Sequence, residues 1–164
     1  MGLLEPHGRG GRPGRQARLI PRIVIHSLEQ ARAALEAARE LDEDVILESP
    51  AEAASYLGPL WFKALLETLS EEAPEVEIDG LLDCGDAPGH VLAAFRAGIH
   101  RVRFTGSSEM RQRLQEIGES FEASVEGEPQ PSLDLLNAYD PAAACRAFLD
   151  IRPSAISGSE KSRS

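Results

Sequence analysis

The side chains able to do chemistry in this chain fall directly after short apolar runs. They are His26, Glu48 with Ser49, Asp83 with Cys84 and Asp86, and Thr105 with Gly106. An imidazole, carboxylates and a thiol brought onto one rim can bind a divalent metal or run acid–base chemistry. His26, Glu48 and Cys84 are the candidate metal ligands. Polar residues in these positions also serve as ordinary turn residues and helix caps, and Ser27, Asp86 and Ser107 suit that role. His90, one turn into a helix, and His100, at the opposite end of the strands, read as surface residues. The loop CGDAPGH (84–90) leads into a helix and offers backbone N–H groups to an anion.

Alternating strands and helices would position these residues. RIVIH (22–26) is a β-branched run. Ser27 then opens a helix as N-cap, with Gln30 three residues on, and Leu28, Ala31, Leu35, Ala38 and Leu41 follow at helical spacing. DVILES (44–49) is a second strand, and Pro50 is read as the start of a helix continuing through WFKALLETL. VEIDGLLD (76–83) is a third strand, followed by a helix from Pro88 that ends at Gly98. RVRFTG (101–106) and SEMRQRLQEIG (108–118) form the fourth unit, and EASVE (122–126) is a weaker fifth strand. EGEPQPSLDLL reads as a loop running into a short apolar segment. A last helix spans 139–152, with Asp140 as N-cap and Pro141 in its first turn. Such alternation implies right-handed crossovers and a parallel sheet, whose sites lie at the C-terminal ends of the strands.

The 164 residues fit one domain, read as 19–152, between a Gly/Arg-rich arm (1–18) and a Ser-rich tail (153–164). Residues 1–22 hold five arginines against one glutamate, although the whole chain carries a net charge of −10. That balance argues against nucleic acid as a partner. No stretch reaches the ~20 apolar residues of a membrane span, and two cysteines, Cys84 and Cys145, suit a reducing cytosol. Walker, G-x-G-x-x-G, H-E-x-x-H and serine-elbow motifs are missing. Cys145 reads as a small buried apolar residue. Trp61 and Phe62 would anchor a protein interface if exposed, although Ala53, Leu57, Leu60, Ala64 and Leu65 around them read as one core stripe.

The segments SLEQARAALEAARELDEDVILESPAEAASYLGPLWFKALLE and LLDCGDAPGHVLAAFRAGIHRVRFTGS resemble the first half of class II, metal-dependent, fructose-bisphosphate and tagatose-bisphosphate aldolases. The likeness covers roughly residues 23–107. It runs through Leu28-Glu29-Gln30, Tyr56 to Gly58, the Asp83 stretch and Arg96-Ala97-Gly98. It implies an α/β fold in which a parallel (βα)4–5 sheet resembles half of a TIM barrel, since a complete barrel needs ~250 residues. A flavodoxin-like, doubly wound three-layer sandwich is the alternative architecture. By the resemblance, Asp83 matches the family's catalytic aspartate and Cys84 stands where the family has its first zinc-ligand histidine. Thr105 replaces an acidic residue, and Pro50 takes the place of a serine unless Ser49 shifts into it. The family's remaining ligands and phosphate loops belong to its second half.

The expectation is therefore an aldolase-like half-barrel without classical aldolase activity. It would bind a small carbonyl or phosphorylated metabolite through Ser49, Gly85, Asp86, Thr105 and Gly106. Zinc is the candidate ion, and the favoured reading is that none is held. A metal-dependent aldehyde-lyase or isomerase acting as a homodimer is the second reading, with Asp83 as acid/base and His26, Glu48 and Cys84 as ligands or proton carriers. A non-catalytic protein-interaction module is the third. The partners expected are a small metabolite and a second copy of the chain, without nucleic acid or membrane, in the cytoplasm.

Overall fold

The computed structural model describes residues 19–151. The arm (1–18) and tail (153–164) of the sequence reading lie outside the described residues. Six strands form one sheet in the order β5-β4-β3-β2-β1-β6, and every pairing is parallel. The elements run β1 (Arg22–Val24), α1 (Leu28–Leu41), β2 (Val45–Glu48), α2 (Ala53–Tyr56), α3 (Pro59–Glu72) and β3 (Ile78–Asp83). They continue with α4 (Pro88–Ala97), β4 (Arg101–Arg103), α5 (Ser108–Glu119), β5 (Ser124–Glu126), β6 (Leu133–Asp134) and α6 (Pro141–Ile151). The sheet is open and does not close into a barrel.

Successive side chains of a strand point to opposite faces, and the helices lie against one of them. Ile23, Ile25, Val45, Leu47, Leu133 and Leu135 face α1, α3 and α6, while Leu82, Cys84, Val102 and Phe104 face α2, α4 and α5. Trp61 and Leu66 of α3 touch both clusters and join them into one layer. A doubly wound sandwich would place helices on both faces; here the opposite face carries Arg22, Ile46, Glu48, Asp79, Leu81, Asp83, Arg101, Arg103 and Glu126.

Local chemistry accounts for the element ends. Ser27 Oγ accepts from Gln30 N–H at 3.2 Å and starts α1. Gly98, at φ +88°, ends α4 with its N–H on the Ala94 and Phe95 carbonyls. Asp140 Oδ1 accepts from Ala143 N–H at 3.1 Å at the head of α6, whose Cys145 and Leu149 are buried in the core beside α1.

Three sequence expectations need correction. The single helix from Pro50 is two: Gly58 at φ +84° followed by Pro59 breaks the chain between α2 and α3, because proline ends a helix arriving from its N-terminal side. Leu57 and Leu60 flank that break and are exposed, so they leave the supposed core stripe, whereas Phe62 is fully buried and cannot anchor an interface. The apolar segment after EPQPS is a sixth strand, β6, which pairs with β1 through Ile23–Leu133 and Val24–Asp134. Only two residues long, it carries no periodicity to announce it.

Candidate functional site

On the face opposite the helices, seven side chains form one chain of alternating charge. Arg101 donates to Asp79 Oδ2 at 2.6 Å and to Glu126 Oε1 at 2.9 Å. Arg22 grips Glu126 with both terminal nitrogens, at 2.7 and 2.9 Å, and donates to Glu48 Oε1 at 3.0 Å. Arg103 reaches the same Glu48 oxygen at 3.1 Å and Asp83 Oδ2 at 3.4 Å. The series Asp79–Arg101–Glu126–Arg22–Glu48–Arg103–Asp83 draws on each of β1 to β5, above buried Ile46 and Leu81. Buried charges persist only when paired in this way.

The pairing sets the ionisation of its members. Hydrogen bonding to Glu126 raises the Arg22 pKa against the opposing effect of burial. Burial acts to raise the Glu126 carboxyl, but the hydrogen bonds from Arg22 and Arg101 outweigh it and hold the group below its ordinary value. Arg103 Nε is buried and has no hydrogen-bond partner among the described residues.

Asp83 stands at the rim end of this series. Its Oδ1 accepts from Gly85 N–H at 2.9 Å and Glu52 N–H at 3.0 Å, and its own N–H donates to Ser49 Oγ at 2.9 Å. Glu52 lies at φ +58°, a conformation uncommon for a residue with a Cβ; the Asp83 carboxylate holds its N–H in place. Asp83 thus ties the loop after β2 to the turn after β3. The next rim loop is joined to them, for Thr105 N–H donates to the Gly85 carbonyl at 2.8 Å. Ser49 and Gly85 are buried beneath this seam, with Asp86 and Thr105 exposed above it and Gly106 half-buried. The N-termini of α4 and α5 follow the two joined loops.

The three candidate metal ligands do not converge. Glu48 is 2% exposed and held by two arginines. His26 Nε2 lies 2.7 Å from Asp134 Oδ1, at the end of β6. Cys84 sits on the helix-facing side among Val91, Phe95 and Phe104, so the sheet itself separates its sulfur from Glu48 and His26. Its thiol is directed at the Leu82 carbonyl, and burial, helped by the Asp83 charge, pushes its pKa up to about 12. Among the described residues no three His, Cys, Asp or Glu side chains stand together to hold a metal ion. These residues do not fit the zinc centre that the resemblance implies.

Sequence reasoning attended to strand ends and passed over Arg22, Asp79, Arg101, Arg103 and Glu126. The signal was present as charges at alternate positions of otherwise apolar strands, RVR above all. Asp134 and Glu52 gave no comparable signal, since each lies in a segment without regular periodicity.

Residues 14–129 match the family model for class II fructose-bisphosphate aldolase. The chain is 29% identical over 123 residues to a plasmid-encoded fructose-bisphosphate aldolase of Cupriavidus necator, covering 66% of this chain and 36% of that protein. It is 34% identical over 90 residues to a fructose-bisphosphate aldolase of Nostoc sp., covering 55% of this chain and 25% of the relative. A class 2 fructose-bisphosphate aldolase of Synechocystis sp. is 29% identical over 123 residues, covering 66% and 34%. The chain thus spans about a third or less of the length of these relatives, and β6, Asp134 and α6 lie beyond residues 14–129 that match the family model.

Proposed function

This chain belongs to the class II fructose-bisphosphate aldolase family, and we propose that it is a half-barrel member that binds a small carbonyl or phosphorylated metabolite without cleaving it as an aldolase would. The observation that carries this reading is the Asp83 carboxylate. It accepts two backbone N–H groups and faces Arg103, an arrangement that leaves it positioning two rim loops. A group that shuttles protons needs a free lone pair and an accessible partner.

The loops that Asp83 positions support the binding half of the proposal. Gly85–Asp86 and Thr105–Gly106 form one seam through the Thr105–Gly85 hydrogen bond. The helix N-termini behind them present backbone donors suited to a phosphate or carboxylate. In this reading the second copy of the chain joins the first as a homodimer.

Calorimetric titration with dihydroxyacetone phosphate and fructose 1,6-bisphosphate, run beside a cleavage assay with added zinc, tests both halves. The expected result is binding, weakened at least tenfold in Thr105→Glu, and no cleavage above the buffer rate. Turnover that disappears in Asp83→Ala would reject the loss of aldolase chemistry, and no heat with either ligand would reject the binding site.

A further inference from the structure

His26 and Asp134 form a carboxylate–imidazole pair at the C-terminal edge of the sheet, and five hydrogen bonds fix it. His26 Nε2 meets Asp134 Oδ1 at 2.7 Å, and the same carboxylate oxygen accepts from Leu136 N–H at 2.9 Å. His26 N–H donates to Gln30 Oε1 at 2.7 Å, and Gln30 Nε2 donates to the Leu135 carbonyl at 3.0 Å. Leu135 N–H closes the ring on the Val24 carbonyl at 3.0 Å. The other ring nitrogen, Nδ1, has no hydrogen-bond partner among the described residues, and the imidazole is 22% exposed. A carboxylate that orients an imidazole whose second nitrogen is unpartnered among the described residues, on a partly exposed ring, is the arrangement of a general base.

The origin of the carboxylate points the same way. Asp134 is supplied by β6, which follows the last residue matched to the aldolase family. The pair is therefore built partly from a segment outside that likeness, at the sheet edge where parallel α/β folds carry their sites. Burial acts to raise the Asp134 pKa, but the Leu136 N–H and the His26 hydrogen bond outweigh it and hold the carboxyl below its ordinary value. The carboxylate is thus charged at neutral pH. On the neighbouring elements the ionisable groups are Glu29 at the head of α1, Arg22 on the same strand and Glu48 on β2, the last two paired with each other.

We propose that His26, oriented by Asp134, is a general base on this rim, able to take a proton from water or from the hydroxyl of a small substrate. The proposal does not depend on the metabolite site near Thr105. With p-nitrophenyl acetate as probe, Nδ1 accepts a proton from water as the water oxygen bonds to the acyl carbon. The carbon–oxygen bond to p-nitrophenolate then breaks, and the imidazolium returns its proton to solvent.

The test is hydrolysis of p-nitrophenyl acetate at pH 8 by the full chain, in H2O and D2O. The rate should fall at least tenfold in His26→Gln, which retains a hydrogen bond to Asp134. It should fall nearly as far in Asp134→Asn and no further in the double variant, because the pair acts as a unit. His100→Gln should leave the rate unchanged, and the wild-type reaction should be slower in D2O. A rate unaltered by His26→Gln, or losses in the two single variants that multiply in the double, would overturn the proposal.

Discussion

Arg22 on β1 and Glu126 on β5 are joined by two hydrogen bonds of 2.7 and 2.9 Å, although three strands stand between theirs in the sheet. Five adjacent strands laid flat would hold the outer two about 19 Å apart, beyond the reach of these side chains end to end. The sheet must therefore curl toward the face that carries them. The ion pair lies on that curled face, and β6 pairs with the other side of β1.

Breaking this contact should destabilise the fold rather than merely loosen its edge. Arg22→Met leaves Glu126 with Arg101 alone and Glu48 with Arg103 alone. The expected loss is about 3–5 kcal/mol, the range for removing one partner of a buried ion pair. Urea denaturation measures it. Arg22→Met with Glu126→Leu should recover part of the loss, because the second change removes a carboxylate the first has left short of partners.

Acidification should act through the same carboxylate. Burial opposes ionisation of Glu126, but Arg22 and Arg101 outweigh it, so its pKa in the folded chain lies below the ordinary 4.5. A depressed folded-state pKa contributes stability that is complete above the unfolded value and disappears as pH falls through the folded one. Asp134, also depressed, adds in the same direction. Urea midpoints should hold from pH 7 to about 5 and then fall, and Glu126→Gln should flatten that fall while lowering the neutral-pH midpoint. An equally steep fall in the variant would remove Glu126 from the explanation.

Asp83→Asn separates a positioning role from a catalytic one. An amide retains one acceptor oxygen for the Gly85 and Glu52 N–H groups but turns donors toward Arg103. Charge-assisted hydrogen bonds are worth about 1.5–3 kcal/mol each, and a net loss of roughly 2–4 kcal/mol is expected. Hydrogen exchange should quicken at Glu52 and Gly85 before it does in β2 or β3, since the carboxylate holds those two amides directly.

The four strong units were legible because their apolar residues recur at the periods of strands and helices, and Ser27, Gly98, Asp140 and Pro141 mark ends by known capping chemistry. β6 was not, because two residues cannot show a period and its pairing with β1 depends on a contact more than a hundred positions away. The site was legible only as a rim. That Asp83 lies there follows from strand polarity, but its partners Glu52 and Arg103 come from other units, and only tertiary packing brings them together. Cys84 misled for a related reason. Adjacent strand positions point to opposite faces, so Asp83 and its neighbour could never serve one ion together with Glu48.

That orientation makes the thiols testable. Burial, with the Asp83 charge adding to it, pushes Cys84 up to about 12, and burial pushes Cys145 up to about 11 against the easing effect of Arg146. At pH 8 neither should react with a disulfide reagent faster than the fold opens, whereas both should react at once in urea. Prompt native labelling of Cys84 would mean that the helix-facing side of β3 is accessible.

The β5 edge of the sheet makes a final prediction. Val125 lies on β5, and its N–H turns outward and donates to Gln115 Oε1 of α5 at 2.8 Å, while Ser124 N–H binds the His100 carbonyl on the β4 side. An edge donor satisfied from within the chain offers little to a second copy seeking to extend the sheet. Gln115→Ala uncovers it, at an expected cost of about 0.5–1.5 kcal/mol for the lost hydrogen bond. Sedimentation should then show more concentration-dependent association in the variant than in the wild type. If the wild-type assembly instead weakens with Gln115→Ala, β5 with its glutamine cap is part of the natural contact between copies rather than a guard against it.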